Sequence, residues 1–273
     1  TLEEIFAEID LEPDFRVESG APLLYNHRSM MGAEIYFVSN QSGAAVDATP
    51  EFRVNPGLAP ERWNPVDGSI TSLPQFEATA TGIRMPLHLE PLESCFIVFR
   101  GKGSPKAGDN NPTPASAVEI SDPWHVAFDG KLSSPAPIEM ASPADLAQNA
   151  DPEIRYFSGT ITYTTEFDLD DASAARVLLN LGRVESMAKV YVNDRYAGGA
   201  WCPPYKVDIT QCVNKGRNTL RVEVVNKWVN RIVGDMQLPP EQRKISLLVN
   251  PYDASTPLPP SGLQQAVTVE TYE

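Results

Sequence analysis

The sequence has little positive charge, few cysteines and no long apolar run. Its 22 Lys and Arg residues stand against 36 Asp and Glu, a formal charge of −14 at pH 7. No stripe of Lys and Arg interrupts this acidic background, so we expect no nucleic-acid partner and no binding to anionic lipid, since both need clustered positive charge. Without a run of about 18 apolar residues, no membrane span is predicted. Neutral ligands such as glycans remain compatible with this surface.

The three cysteines are Cys95, Cys202 and Cys212. They form no Cys-x-x-Cys pair, and the three histidines are far apart, so no metal site built from these residue types is predicted. Cys202 and Cys212 could bridge in an oxidising compartment, but small buried thiols are the favoured interpretation. The sequence also lacks a Gly-x-Ser-x-Gly motif, a phosphate-binding loop and a dinucleotide fingerprint.

Two acidic stretches could supply oxygen ligands to calcium. They are Asp109-Asn110-Asn111 and Asp168-Leu169-Asp170-Asp171. Neither has the full pattern of a calcium loop, so plain turns are the default interpretation and structural calcium is the alternative. No other cofactor is predicted.

Twenty-five prolines lie mostly outside the apolar runs, which is typical of many short strands joined by stiff loops. The sequence predicts an all-β chain with two β-sandwich domains. We place a short helix at 1–11, the first sandwich at 12–100, a turn-rich linker at 101–116 and the second domain at 117–273. The chain begins at Thr1 without a signal peptide, so we expect an excised piece or a processed product.

The first domain shows apolar residues at a period of two. Ile35 and Phe37 alternate with their neighbours, Ile83, Met85, Leu87 and Leu89 share one face, and 95–99 is nearly continuously apolar.

The second domain has the clearest alternation. Residues 161, 163, 165, 167 and 169 face one way, and short apolar runs then recur about every ten residues. A turn is predicted at Asn193-Asp194, and no helix is expected between the strands. This spacing predicts an antiparallel sandwich.

Several motifs then appear in a fixed order. They are Gly159 to Tyr163, Leu181-Gly182, Val190-Tyr191-Val192-Asn193 before Gly198-Gly199, Pro204-Tyr205 before Asp208-Ile209-Thr210, and Asn218 to Val222. This order resembles the sugar-binding domain of glycoside hydrolase family two. The resemblance implies a galactose-binding-like jelly roll.

A second resemblance covers both domains. The run from Asn226 to Asp235 is similar to a signature of the α-L-rhamnosidases of glycoside hydrolase family 106. Matching stretches in the first domain are His27-Arg28, Glu34 to Asn40, Phe52-Arg53-Val54 and Trp63-Asn64-Pro65 with Gly68.

This resemblance implies the C-terminal β-domains of a large bacterial enzyme that removes rhamnose from complex glycans, with a periplasmic or extracellular location. In that family the catalytic carboxylates belong to a barrel near the N-terminus. This sequence has no strand–helix alternation to build a barrel, so we expect the chain to be inactive as a hydrolase and the barrel of its parent chain to be a partner. The resemblance also implies that His27 touches substrate in the intact parent.

Glycoside hydrolysis needs two facing carboxyl groups, one with a raised pKa. The acids nearest aromatic or turn residues are Glu34, Glu61, Glu153, Glu185 and Asp235. Nothing in the sequence pairs any two of them, so no catalytic residue is predicted. Asp235 is expected to bond nearby backbone or Arg231.

Sugar binding by a β-sandwich needs an exposed aromatic ring that stacks on a pyranose, with polar groups that orient the hydroxyls. The predicted carbohydrate-binding residues are Trp201, Tyr205, Trp228, Arg155, Asn230 and Arg231. Trp201 follows a glycine-rich segment in a loop, and Trp228 is placed at the end of a strand, where interface packing competes with ligand contact. Trp124 is interpreted as core.

The sequence therefore favours a non-catalytic accessory region that scaffolds a hydrolase and contacts glycans. A structural or adhesive surface module without sugar affinity is the alternative, and an independently active enzyme is the third hypothesis.

Overall fold

The computed structural model describes residues 5, 6, 8, 9, 11–17 and 20–273. The helix predicted over 1–11 falls largely outside these residues. Contacts between Cα atoms divide the chain into two compact units, Thr1–Thr113 and Pro114–Glu273. Both are built mainly from antiparallel strands, so the predicted all-β class is confirmed. Among the described residues, no helix is both long and apolar enough to cross a membrane.

The described part of the first unit has strands in three antiparallel sheets. The strands are β1 Phe15–Arg16, β2 Leu23–Met30, β3 Ala33–Asn40, β4 Val46–Ala48, β5 Glu51–Phe52, β6 Leu58–Trp63, β7 Ile70–Ser72, β8 Glu77–Ala78, β9 Ile83–Arg84, β10 Leu87–Leu89 and β11 Ser94–Lys102. A five-stranded sheet has the order β2-β3-β11-β6-β7, and smaller sheets have the orders β1-β5-β9-β8 and β10-β4. Their apolar faces enclose one core.

The core of the first unit differs from the sequence prediction at two places. On β3, the fully buried residues are Tyr36 and Val38, while Ile35 and Phe37 are half-buried. The run from Ile83 to Leu89 is buried as predicted but forms two strands that pair with different partners. Pro86 lies between them and lacks a backbone N–H, which prevents a continuous ladder.

The segment predicted as a linker is partly ordered by the first unit. Strand β11 extends to Lys102, and the boundary between the units falls after Thr113. Asn110 is buried, accepts a hydrogen bond from the Gln75 N–H at 2.9 Å and donates to the Gln75 carbonyl at 2.7 Å. One asparagine therefore anchors the polar segment where composition alone indicated only flexibility.

The second unit is a jelly roll of two main antiparallel sheets. Its strands are β12 Ser116–Glu119, β13 Trp124–Asp129, β14 Ile138–Met140, β15 Thr160–Leu169, β16 Arg176–Asn180, β17 Val184–Glu185, β18 Met187–Val192, β19 Arg195–Ala200, β20 Lys206–Asp208, β21 Gly216–Val225, β22 Gly262–Leu263 and β23 Thr268–Tyr272. The six-stranded sheet has the order β14-β13-β15-β21-β18-β19, the four-stranded sheet the order β12-β23-β16-β20, and β17 pairs with β22.

The alternation predicted for the second unit is confirmed. On β15, residues 161, 163, 165, 167 and 169 are buried, and the central part of β21 alternates in the same way. These side chains and Trp124 enter a single core between the sheets. The hairpin between β18 and β19 turns at Asn193-Asp194, where φ values of 50° and 62° fit the tight turn predicted there.

Helices occur in the second unit, contrary to the expectation of strands alone. They are α1 Pro152–Arg155, α2 Trp228–Met236, and 3₁₀ turns at Leu146–Gln148 and Pro240–Gln242. Strand β21 ends at Val225, so Trp228 begins a helix and the prediction that it ends a strand was wrong. The helix carries Gly, Asn and β-branched residues and no side-chain cap, so its local helical signal is weak, and packing decides its structure.

The cysteines are free thiols. Cys95 and Cys212 are buried and Cys202 is half-buried. Burial raises the pKa of Cys95 to about 11, so its thiol remains protonated at neutral pH.

Candidate functional site

Of the aromatic residues predicted to bind sugar, Trp201 and Tyr205 lie in the loop after β19 and Trp228 begins α2; the surroundings of Tyr205 and of the Trp228 neighbour Lys227 include Glu185. Lys227, next to Trp228, donates from Nζ to Glu185 Oε2 at 2.8 Å. Arg183 donates from Nη2 to Glu185 Oε1 at 3.2 Å. The hydroxyl of Tyr205 lies within the field of Glu185, which contributes to its raised pKa. We name the set Arg183, Glu185, Trp201, Tyr205, Lys227 and Trp228 the Glu185 cluster; Trp201 is included because the next residue, Cys202, accepts a hydrogen bond from the Tyr205 N–H.

The two tryptophans supply the apolar surface of this cluster. Trp201 follows the last residue of β19, and Trp228 is the first residue of α2; each is 54% exposed. At this exposure part of each indole is open to solvent. This geometry suits stacking on the apolar face of a sugar ring.

Tyr205 is held between these loops in an unusual backbone conformation. Its φ of 54° lies in the left-handed region, which a residue with a side chain seldom adopts. Two backbone bonds hold it there: its N–H donates to the Cys202 carbonyl at 3.2 Å, and its carbonyl accepts from Leu181 N at 3.1 Å. Burial, and secondly the charge of Glu185, raises the pKa of the hydroxyl, which keeps it a hydrogen-bond donor.

Glu185 is held ionised by its partners. Burial alone would raise its pKa, but the hydrogen bonds from Lys227 and Arg183 outweigh burial and lower it. The cluster therefore presents two cations around one carboxylate, and the half-exposed Trp228 directly follows one of these cations in the chain. Such groups can orient hydroxyls of a neutral ligand.

The backbone under the cluster is fixed by strand pairing and by hydrogen bonds between distant segments. Strand β17 brings Glu185 opposite Gly262 of β22. Asn226 donates from Nδ2 to the Phe157 carbonyl at 2.7 Å and to Ser261 Oγ at 2.8 Å, which ties the start of the Trp228 loop to the core.

The three predicted polar partners are not brought together at this surface. Asn230 is fully buried and donates to the Pro259 carbonyl at 3.0 Å. Arg231 is 5% exposed and pairs with Asp235 at 2.8 Å. Arg155, half-buried on α1, donates from Nε to the Asn149 carbonyl at 2.8 Å. Burial on α2 thus gives Asn230 and Arg231 internal hydrogen-bond partners instead of access to an open surface.

Sequence reasoning missed Arg183 and Lys227 and considered Glu185 only as a lone acid. Its partner Lys227 lies 42 positions along the chain. The Lys227-Trp228 pair, in which a cation precedes an aromatic residue, was a possible signal. It was not used, because the sequence interpretation placed Trp228 at the end of a strand.

The acids considered for catalysis have other partners. Burial would raise the pKa of Glu61, but hydrogen bonds from Trp63 and Arg100 lower it. Asp235 accepts from Arg231 as predicted, and from the N–H groups of Lys244 and Ile245 at 2.7 Å each. Glu153 is exposed on α1.

His27 and Glu34 meet in the first unit. The His27 ring lies between two carboxylates, with Nδ1 3.0 Å from Asp14 Oδ2 and Nε2 2.9 Å from Glu34 Oε2. It also stacks on Tyr36, with ring centroids 4.0 Å apart. Its side chain is 21% exposed, so this cluster fixes the ring mainly through internal contacts.

The two stretches considered for calcium use several oxygens internally. Asp109 accepts from the Asn111 N–H at 2.9 Å, and Asn111 accepts from His88 N at 2.9 Å. Asp168 pairs with Arg217 at 2.9 Å, and Asp171 accepts from Ser173 N at 2.8 Å. Within the described ranges, no group of three or more His, Cys, Asp or Glu side chains is arranged to hold a metal ion.

Comparison with known proteins agrees with the resemblance noted in the sequence. Residues 1–78 match the family model of glycoside hydrolase family 106, alpha-L-rhamnosidase, and residues 112–247 match that of the family 2 glycosyl hydrolase sugar binding domain. The structure of a rhamnosidase from Novosphingobium sp. PP1Y aligns with 98% of this chain at 34% identity and a TM-score of 0.86. A putative beta-glucuronidase from Formosa agariphila is 31% identical over 125 residues, 45% of this chain.

These relatives are much longer than the region they share with this chain. The alignment spans 26% of the rhamnosidase chain and 11% of the putative beta-glucuronidase. The resemblance predicted from the sequence is confirmed: the first unit is similar to family 106 alpha-L-rhamnosidases, the second to the family 2 sugar binding domain, and the fold to that of a solved rhamnosidase.

Proposed function

We propose that this chain is a non-catalytic accessory region of a rhamnosidase-like glycoside hydrolase and that it contacts glycans through the Glu185 cluster. The observation that carries the proposal is the position of Trp201 and Trp228. Both indoles are half-exposed, Trp201 in the loop after β19 and Trp228 at the start of α2, and Glu185 fixes Lys227 and Arg183.

The carboxyl groups support the absence of hydrolysis by this chain. A general acid for glycoside cleavage needs a raised pKa. Wherever the pKa of a carboxyl among the described residues departs clearly from its ordinary value, it is lowered; these groups are Glu51, Glu61, Asp171, Glu185, Asp208, Asp253 and Glu270. We therefore infer that the reacting acids belong to a barrel elsewhere in a longer parent chain.

The similarity to the Novosphingobium rhamnosidase guides the choice of ligand. Because it extends over nearly the whole chain, rhamnose-containing glycans are the ligand class to test first. We further propose that the parent enzyme is bacterial, acts in polysaccharide degradation and works in the periplasm or outside the cell.

Titration with a rhamnose-containing oligosaccharide tests the contact site. Tryptophan fluorescence and calorimetry should show binding with a dissociation constant of about 1 mM or below. Trp201→Ala and Trp228→Ala should each weaken it by about tenfold, since each removes one stacking face. Leu248→Ala is the matched control, because Leu248 is fully exposed and lies outside the Glu185 cluster.

Two results would contradict the proposal in different ways. If no binding is seen at tens of millimolar ligand, the binding free energy is weaker than about −2 kcal/mol. That result would favour the alternative of a purely structural module. Turnover of an aryl rhamnoside by the purified chain would refute the non-catalytic assignment.

A further inference from the structure

A groove lies in the second unit, beside the edge strands of its two main sheets. It encloses about 490 Å³ and is lined by Arg176, Arg195, Tyr196, Asp208, Thr210 and Gln211, together with small residues. This volume lies within the range of small-ligand sites. Arg195 and Tyr196 begin β19, whereas Trp201 follows its last residue. At about 3.3 Å per residue, the two places are roughly 17 Å apart along the strand.

Tyr196 gives this groove an aromatic platform of fixed orientation. Its side chain is 61% exposed, yet its ring contacts Tyr191 edge to face, with centroids 5.5 Å apart. Tyr191 is in turn covered by the guanidinium of Arg221, 3.8 Å from the ring centroid. An exposed ring held in this way loses little freedom when a sugar stacks on it.

Arg195 is the residue of this groove that favours a negatively charged ligand. In the part of the chain that the structure describes, every other arginine has a hydrogen-bond or ion-pair partner, most often a carboxylate. Its neighbour in the groove, Arg176, donates from Nε to Asp208 Oδ2 at 2.9 Å. Asp208 also accepts from Thr210 Oγ1 at 2.6 Å, so its carboxylate is engaged within the protein. Arg195 alone keeps an unpartnered guanidinium over the groove.

We propose that this groove binds a carboxylate-bearing sugar, a uronic acid unit of a short glycan. The ring stacks on Tyr196, and the carboxylate pairs with Arg195, whose planar fork matches carboxylate geometry. Gln211, which is exposed at the groove, is available to the sugar hydroxyls. Because the chain carries a formal charge of −14, a short acidic saccharide is favoured over a long polyanion. This site is separate from the Glu185 cluster and adds a second ligand class to the proposed function.

The test compares trigalacturonate with its fully methyl-esterified form, which keeps the rings and removes the charge. Amide NMR titration of the full 273-residue chain reports the groove and the Glu185 cluster separately. Trigalacturonate should shift the signals of residues 175–176, 195–197 and 208–212, and the ester should bind about tenfold more weakly. Arg195→Gln should weaken trigalacturonate binding by about tenfold and leave ester binding unchanged. Tyr196→Ala should weaken both.

Lys131→Gln is the charge-matched control. Lys131 is exposed after β13, which is four strands from β19 in the six-stranded sheet, so its removal should leave binding unchanged. No shift at about 10 mM trigalacturonate, equal affinity for the acid and the ester, or an equal loss in the Lys131 variant would each overturn the proposal. Shifts confined to Trp201 and Trp228 would also overturn it while supporting the Glu185 cluster.

Discussion

Lys227 donates a hydrogen bond to Glu185 over 2.8 Å and so joins the loop before α2 to strand β17. Arg183 approaches the same carboxylate from the other oxygen. This three-residue contact positions the backbone that carries Trp228, and it links a charged pair to the proposed stacking surface.

Replacing Glu185 with Gln should weaken glycan binding more than it weakens folding. The change leaves two cations without their carboxylate, and Lys227 is about half exposed, so solvent limits the stability loss to about 0.5–1 kcal/mol. Because the folded state lowers the pKa of Glu185, the stability contributed by its ionised carboxylate is fully present above pH 4.5, its ordinary pKa. That stability is lost as the pH falls through the lowered folded-state pKa.

Calorimetric titration and thermal unfolding measure the two effects of that substitution separately. Glu139→Gln is the control, since Glu139 is an exposed glutamate that pairs with His125. A stability loss of several kcal/mol with unchanged binding would show that Glu185 is purely structural.

Replacing Asp235 with Ala should unfold the region around α2. Asp235 is fully buried and accepts from Arg231 and from two backbone N–H groups. Its removal leaves a buried guanidinium and two N–H groups unpaired, at a cost of about 3–5 kcal/mol. Urea denaturation measures this cost. The double variant Arg231→Met, Asp235→Ala should lose less than Asp235→Ala alone; an equal or larger loss would exclude the buried charge as the cause.

Glu51→Gln should flatten the acid dependence of the first unit's stability. Hydrogen bonds from Thr79 at 2.7 Å and Arg84 at 2.8 Å, with a further one from Thr81, lower the pKa of Glu51 to about 2. Because the folded pKa is lowered, the stabilisation is complete above pH 4.5 and is lost as pH falls toward 2. We expect ionised Glu51 to contribute about 1–2 kcal/mol to the stability of the first unit. This is less than the full pKa shift implies, because Arg84 is partly exposed and its charge is screened by solvent.

Denaturation across this pH range, followed by amide signals of the first unit, tests the Glu51 prediction. Glu77→Gln is the control, because Glu77 is exposed opposite the same Arg84. An unchanged pH profile in the Glu51 variant would contradict the role given to these hydrogen bonds.

Gly262→Ala should destabilise the second unit by about 2–4 kcal/mol. Gly262 has φ +80°, and a Cβ atom would lie 2.0 Å from the hydroxyl of Tyr163. Gly216→Ala separates the cost of a positive φ from the cost of the steric clash. Gly216 has φ +87° but open space around it, so its substitution should cost only about 1 kcal/mol. Thermal unfolding gives both values. Adding Tyr163→Phe to Gly262→Ala should recover part of the loss; if it recovers none, the steric explanation is wrong.

The sequence by itself determined strand β15 of the second unit with its buried face, and the turn between β18 and β19. The alternation from Ile161 to Leu169 and the turn at Asn193-Asp194 are local signals, because the period of two and the preference for positive φ act on neighbouring residues. The family resemblance also came from short motifs in order. The helix at Trp228 was not predicted, since its residues are poor helix formers and tertiary packing stabilises it.

Only the tertiary structure decided which side chains share a surface. Asn230 and Arg231 are buried, although their polarity suggested ligand contact, because α2 places them on its packed face. Glu185 meets Lys227, and Arg195 lines a groove with Asp208, through pairings between distant segments. Such contacts form between residues that are far apart in the chain. Hydrophobic periodicity describes only neighbouring residues, so it does not predict which distant segments meet.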